Sequence, residues 1–202
     1  MSDTPHGGFP RFTPAHPPAD FGRLLEALRT IQDLAVSTDL PEEQLAAAAD
    51  QAEKLAAAMA PYVVPEGASP AGRSLELPGR GSLLLLPWTI EKYGPDGVQS
   101  TGVFRRYHLG GNAAAHGGTL PLLFDDLFGL IQHAYGRPRS RTAFLHIDYR
   151  AVTPLDRQLR VSGHVTKVEG RKAFIEAVLT DLDGTVLAEC HSLMVALLPG
   201  QP

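Results

Sequence analysis

Residues 119 to 134 form a segment that is apolar on nearly every side, with Leu120, Leu122, Leu123, Leu127, Phe128, Leu130 and Ile131 spread around a helical wheel. A helix without a polar face has to be buried. Something must therefore wrap it, and the flanking sequence reads as strands. One candidate covers Ser82 to Tyr93, Gly94-Pro95-Asp96-Gly97 makes a turn, and Val98 to His108 returns. After the Gly136 to Arg141 loop, strands are expected near 142–151, 157–168, 171–181 and 185–198, with Glu169-Gly170 and Asp181-Leu182-Asp183-Gly184 as hairpin turns. Over 142–151, Ala143, Leu145, Ile147 and Tyr149 alternate with Thr142, Phe144, His146, Asp148 and Arg150, which predicts a sheet packed on one side. The economical solution is α+β: an antiparallel sheet curled round one central helix.

The N-terminal part is organised differently. Residues 1 to 19 hold five prolines and read as a loose arm. Phe21, Leu24, Leu25, Leu28, Ile31 and Ala35 then share a helical face. A second helix is expected from about Asp39, with Glu42 as capping-box partner, stopping at Pro61. Its narrow alanine face suggests that the helix pair packs on another surface. Residues 61 to 81 carry four prolines and four glycines and read as an irregular linker. The expected division is thus 1–81 for arm, helices and linker, and 82–202 for the sheet domain.

Composition narrows the function. The 202-residue chain has a formal net charge of −4, which argues against general nucleic-acid binding and polybasic membrane attachment. No apolar run approaches the ~20 residues that cross a bilayer, and the Pro-rich N-terminus has no signal-peptide pattern. One cysteine, Cys190, suits a reducing compartment, and its even spacing with Val186, Ala188 and Met194 predicts a buried thiol. A cytoplasmic protein is expected. The histidines show no metal-ligand spacing, and no GxSxG elbow, phosphate loop or dinucleotide fingerprint occurs.

Chemistry concentrates in His116-Gly117-Gly118 and in Asp125 on the greasy helix. An ionised, unpaired acid there costs on the order of several kcal/mol to bury, so such a residue usually has a task. Glycines before the helix leave N–H groups open to a developing negative charge. An anion-stabilising turn and a base on one segment suggest acyl transfer.

With His116-Gly117-Gly118, Asp125 nine residues after the histidine and Thr142 seventeen further on, the chain resembles the hotdog-fold acyl-CoA thioesterases. The likeness is to the phenylacetic-acid-degradation-type branch of the 4-hydroxybenzoyl-CoA thioesterase superfamily, over residues 82 to 198. It implies a hotdog fold, with the two N-terminal helices as an extension, that hydrolyses acyl-CoA without a metal or bound cofactor, coenzyme A being part of substrate and product. Asp125 would serve as general base on water or as nucleophile, Thr142 would hold the water or orient the acid, and Gly117 or Gly118 would supply an oxyanion N–H. His116 is expected to fix the turn by a hydrogen bond rather than act as a base. The family often carries Asn or Gln six residues before the histidine; position 110 is Gly here, and Asn112 is the nearest substitute. Arg137, Arg139 and Arg141 are candidates for coenzyme A phosphates, with Arg105 and Arg106 behind them. Phe124, Phe128, Phe144 and Trp88 are candidates for a medium-chain or aromatic acyl pocket, with core packing the expected role for any one of them. The resemblance further implies a homodimer with a continuous sheet or a dimer of dimers, with Asp125 of one subunit meeting Thr142 of the other. The rival readings are a non-catalytic acyl-CoA-binding protein and a hotdog hydratase or dehydratase.

Overall fold

The computed structural model describes residues 13–201. Most of the expected arm lies outside the described residues. Its remainder, 13–18, is tied down: the Ala15 N–H donates to the Arg73 carbonyl, and Arg73 donates to the Thr13 carbonyl, both at 3.0 Å.

Two helices follow, α1 (Ala19–Ala35) and α2 (Glu42–Met59). The expected capping box does not form, because Pro41 occupies the N-cap position and leaves Glu42 as the first helical residue. Nor does Pro61 end the helix directly; the chain passes into a 3-10 turn, Ala60–Tyr62, whose opening positions need no proline N–H. The expectation that both helices pack is only half met. α1 buries Leu25 and Arg29, whereas α2 buries none of its residues. The Arg29 guanidinium donates to the Pro78 and Ser82 carbonyls at 2.9 and 3.0 Å, pinning α1 to the irregular segment before the sheet.

The sheet contains β1 (Thr89–Gly94), β2 (Gly97–Gly102), β5 (Ser140–Tyr149), β6 (Leu159–Glu169), β7 (Lys172–Asp181) and β8 (Val186–Ala196). Between β2 and β5 come a small hairpin, β3 (Leu109–Gly111) with β4 (Ala114–Ala115), and the central helix α3 (Thr119–Ala134). The strand order is β1-β2-β6-β7-β8-β5, antiparallel throughout, with β1 and β5 at the edges. This is the hotdog arrangement, with α1 and α2 outside it.

The first two strands are shorter than their sequences suggested. Residues 82–88 wrap under the sheet instead of joining it, delivering Leu86 and Trp88 to the core. β2 stops at Gly102 because the Trp88 ring lies over it; a Cβ there would sit 2.5 Å from the indole. The chain then forms a 3-10 turn, Arg106–His108, in place of the expected strand.

α3 buries Leu120, Leu123, Phe124, Leu127, Phe128 and Ile131 against the inner face of the sheet. The fit is tight at Gly163 of β6, where a Cβ would come within 2.9 Å of Ile131 Cδ1. Phe124, Phe128 and Trp88 are buried in the core, the role expected for any one of them. Among the described residues no helix is long and apolar enough to cross a membrane.

Candidate active site

The turn before α3 is built by local hydrogen bonds. His116 Nδ1 accepts from the Gly118 N–H at 3.0 Å, and the His116 carbonyl accepts from the Thr119 N–H and hydroxyl at 2.9 and 2.6 Å. The Gly118 amide is therefore engaged and cannot serve as the oxyanion donor in this arrangement. The Gly117 amide has no partner among the described residues, while its carbonyl accepts from the Tyr149 hydroxyl at 2.9 Å. Of the two candidate amides, Gly117 is the open one.

The other side of the turn is braced from α1. The His116 N–H donates to the His108 carbonyl at 2.7 Å, and His108 Nδ1 accepts from the Arg105 N–H at 2.9 Å. Asp33 of α1 accepts from Arg105 Nε at 2.8 Å and from the Tyr107 N–H at 3.1 Å; Glu26 accepts from Arg105 at 2.6 Å. Arg105 is thus a structural clamp, which removes it as a phosphate ligand. Burial holds the His108 imidazole down at about 4, so this ring is a neutral acceptor at ordinary pH.

Gly110 has a steric reason to be glycine: a Cβ there would lie 2.6 Å from His116 Cα. No side chain fits at the position where the family often places its amide. Asn112 does not replace it. With Ala113 it forms the tight turn between β3 and β4, at φ of 49° and 56°, and it makes no hydrogen bond to Asp125 or Thr142.

Two turns along α3, Asp125 accepts a hydrogen bond from the Thr142 hydroxyl at 2.6 Å. This pair forms within one chain, contrary to the expectation that the two residues come from different subunits. A bulge makes the contact possible. Thr142 pairs with Met194 and Phe144 with Leu193, which leaves Ala143 as the extra residue. Unbroken alternation would put Thr142 on the same face as Phe144. The bulge reverses it, so that Thr142 faces inward beside Met194 (Oγ1 to Sδ 3.3 Å) while Phe144 faces out against His191. Phe144 thus lies outside the core, against the expectation that it packs there.

Asp126, the neighbouring acid, has a different task. It receives both Arg80 nitrogens at 2.8 and 2.6 Å, locking α3 to the preceding segment. Cys190 is buried below Asp125; burial, then the Asp125 charge, pushes its thiol up to about 12.

Asp125 opens onto a cavity of about 430 Å³ lined by Tyr93, Gly129, Gln132 and the loop bearing Arg137, Arg139 and Arg141. The three predicted arginines and the predicted acid therefore share one space. A depression of about 520 Å³ on the outer sheet face, between Lys92, Glu176 and His191, holds none of the predicted site residues. Sequence reasoning missed Tyr149, His108 and Gln132. Tyr149 lay in a pattern read only for packing, and the other two have no local signature.

A six-stranded antiparallel sheet round one helix, with an acid–hydroxyl pair at the helix and an open amide before it, defines a hotdog protein of the thioesterase type of fold. Residues 112–188 match the model of the Thioesterase superfamily. The chain is 31% identical over 88 residues to acyl-coenzyme A thioesterase THEM4 of Rattus norvegicus; the match covers 43% of this chain and only 37% of the rat protein. The crystal structure of protein RHA08564, a thioesterase superfamily protein, superposes with a TM-score of 0.78 at 23% identity, covering 90% of this chain and 97% of that one. A hypothetical thioesterase protein from Streptococcus pneumoniae TIGR4, solved with coenzyme A, gives 0.52 at 23% identity over 57% and 91%. The same Streptococcus protein has also been solved with an aspartate, and separately a threonine, changed to alanine. These structural likenesses establish the hotdog fold.

Proposed function

We propose that the chain hydrolyses acyl-CoA thioesters to the free acid and coenzyme A. The observation that carries this reading is the Thr142–Asp125 hydrogen bond, with Asp125 lining a cavity that three arginines also line. Asp125 either takes a proton from a water that attacks the thioester carbonyl, or attacks that carbonyl itself. In both routes the C–S bond breaks and the coenzyme A sulfur leaves as the thiol, its proton coming from water. In the second route a water then hydrolyses the acyl–Asp125 anhydride, releasing the acid and restoring the carboxylate. Thr142 holds the carboxylate in one rotamer, and the guanidinium groups of Arg137, Arg139 and Arg141 suit the phosphates of coenzyme A. The match to a rat acyl-coenzyme A thioesterase and the coenzyme A held by a structural relative support the same substrate class. The spacing of His116-Gly117-Gly118, Asp125 and Thr142 favours the phenylacetic-acid-degradation-type branch.

The reading requires two copies. Gly117 precedes Asp125 by eight residues, about 12 Å along a helix, and an oxyanion donor and a base must each come within about 3 Å of one carbonyl. Within one chain they do not meet on a single substrate. The working site is therefore a dimer in which Gly117 of one protomer faces Asp125 of its partner. The unpaired outer edge of β5 offers the place to continue the sheet. A dimer of dimers is compatible with this arrangement, and the buried Cys190 thiol fits a cytoplasmic setting.

Thiol release from short, long and aromatic acyl-CoAs tests the reading, with Asp125→Asn as the comparison. Hydrolysis by the wild type and its loss in a folded Asp125→Asn chain support it. Binding of acyl-CoA without turnover by the wild type replaces it with an acyl-CoA-binding function.

A further inference from the structure

Seven residues beyond Asp125 on the same face of α3 stands Gln132, with Gly129 between them. All three line the 430 Å³ cavity. Gly129 keeps that wall open, since a Cβ built there meets nothing within 4 Å. Gln132 is only 4% exposed, yet neither its Nε2 nor its Oε1 has a hydrogen-bond partner among the described residues. Arg137 Nε, one loop further on, is likewise buried and unpartnered. Buried carboxamides are almost always satisfied, and an orphaned one costs stability that its hydrogen-bonding group must recover elsewhere.

The chemistry of the orphan defines what completes it. A carboxamide donates and accepts at once. A carboxylate would meet only its N–H groups, whereas a secondary amide meets both ends with its own N–H and C=O. The order of groups along the cavity narrows the choice further. Asp125 comes first, and Gln132 lies about 10 Å further along the helix. Arg137, whose backbone N–H donates to the Gln132 backbone carbonyl at 3.0 Å, stands at that end, while Arg139 and Arg141 lie on the stretch that returns to Thr142. A coenzyme A thioester presents its groups in the same order: reacting carbonyl, then the secondary amides of the pantetheine arm, then phosphates.

We propose that Gln132 is the pantetheine-recognition residue of this site, pairing its carboxamide with a secondary amide of the arm. The inference rests on the thioesterase reading for its orientation. It makes this chain selective for thioesters of pantetheine-bearing carriers over simple thioesters, through a contact remote from the bond that breaks.

Gln132→Met tests it, because methionine keeps the length and volume and removes both hydrogen-bonding groups. Hydrolysis is compared for three thioesters of the acyl group that the wild type turns over fastest: coenzyme A, pantetheine and ethanethiol. The expected wild-type to Met ratio of kcat/KM is about tenfold or more larger on the first two than on the ethyl thioester, and expressed in KM. A loss equal on all three thioesters, or no loss on any, overturns the proposal. Calorimetric titration with coenzyme A alone gives a reading independent of turnover. About tenfold weaker binding by Gln132→Met supports the contact even if no thioester is hydrolysed, in which case the thioesterase reading fails by itself. Equal binding by both chains overturns it.

Discussion

The Thr142 hydroxyl reaches Asp125 Oδ1 at 2.6 Å from a strand residue that a bulge has turned inward. If this contact sets the carboxylate rotamer, the two side chains differ in what their loss does. Asp125→Asn removes the base or nucleophile and should lower kcat by about 10²–10⁴-fold. Thr142→Ala should lower it by roughly tenfold, and Thr142→Ser, which keeps the hydroxyl, should restore most of that. Steady-state thiol release on chains of equal melting temperature checks all three.

The bulge itself can be removed. Deleting Ala143 makes Thr142 the direct neighbour of outward-facing Phe144, so plain alternation itself then holds Thr142 inward opposite Met194. The deletion should keep most of the wild-type turnover, and adding Thr142→Ala to it should cost roughly tenfold, as in the intact strand. A double-mutant comparison of kcat reads this directly.

Adjacent acids should separate cleanly. Asp126 holds Arg80, with the two side chains 25% and 15% exposed, so Asp126→Asn leaves a largely buried guanidinium without its counter-charge. Urea unfolding should show a loss of about 1–3 kcal/mol. Turnover per folded molecule should stay far above that of Asp125→Asn.

His108 gives the fold a specific acid sensitivity. Burial holds the folded imidazole at about 4, below the 6.5 of an unperturbed histidine. Between those values the unfolded chain binds a proton that the folded chain refuses. The His108 contribution is therefore complete above about pH 6.5 and is lost as pH falls toward 4. His108→Asn keeps an acceptor for the Arg105 N–H and should flatten this part of the slope, measured as the stability difference from wild type at pH 7 and pH 4.5.

Cys190 should be inert in the native state. Its thiol is buried and pushed up to about 12, so almost no thiolate forms at pH 8. A disulfide reagent should label it only in denaturant. Rapid labelling of the native chain would contradict the burial described for the inner face of β8.

What could be read from residues alone follows the range of the forces involved. α3 was legible to its ends, Thr119 and Ala134, because an all-round apolar segment has one physical solution. β6, β7 and β8 were placed to within about two residues by their turn residues. The apolar run Leu83-Leu84-Leu85-Leu86 misled, since a buried wrap and a buried strand have the same composition; in the fold Leu84 is 74% exposed and Leu86 is core. Asp125 and Thr142 were legible as a spacing, but their meeting within one chain depended on Ala143, which carries no mark of a bulge. The Asp33–Arg105 clamp joins residues 72 apart and was invisible for that reason.

The outward-lying α2 gives the molecule two tiers of stability. Eighteen residues of helix with none of them buried are held by backbone hydrogen bonds and alanine propensity alone. Such a segment opens at a small fraction of the free energy that melts the sheet around α3. In the single chain α2 is therefore a separately exchanging unit, whose amide protons are lost to deuterium long before those of Leu127 or Ile175. Any slowing of that exchange reports directly on whatever comes to rest against Leu45, Leu55 and Met59.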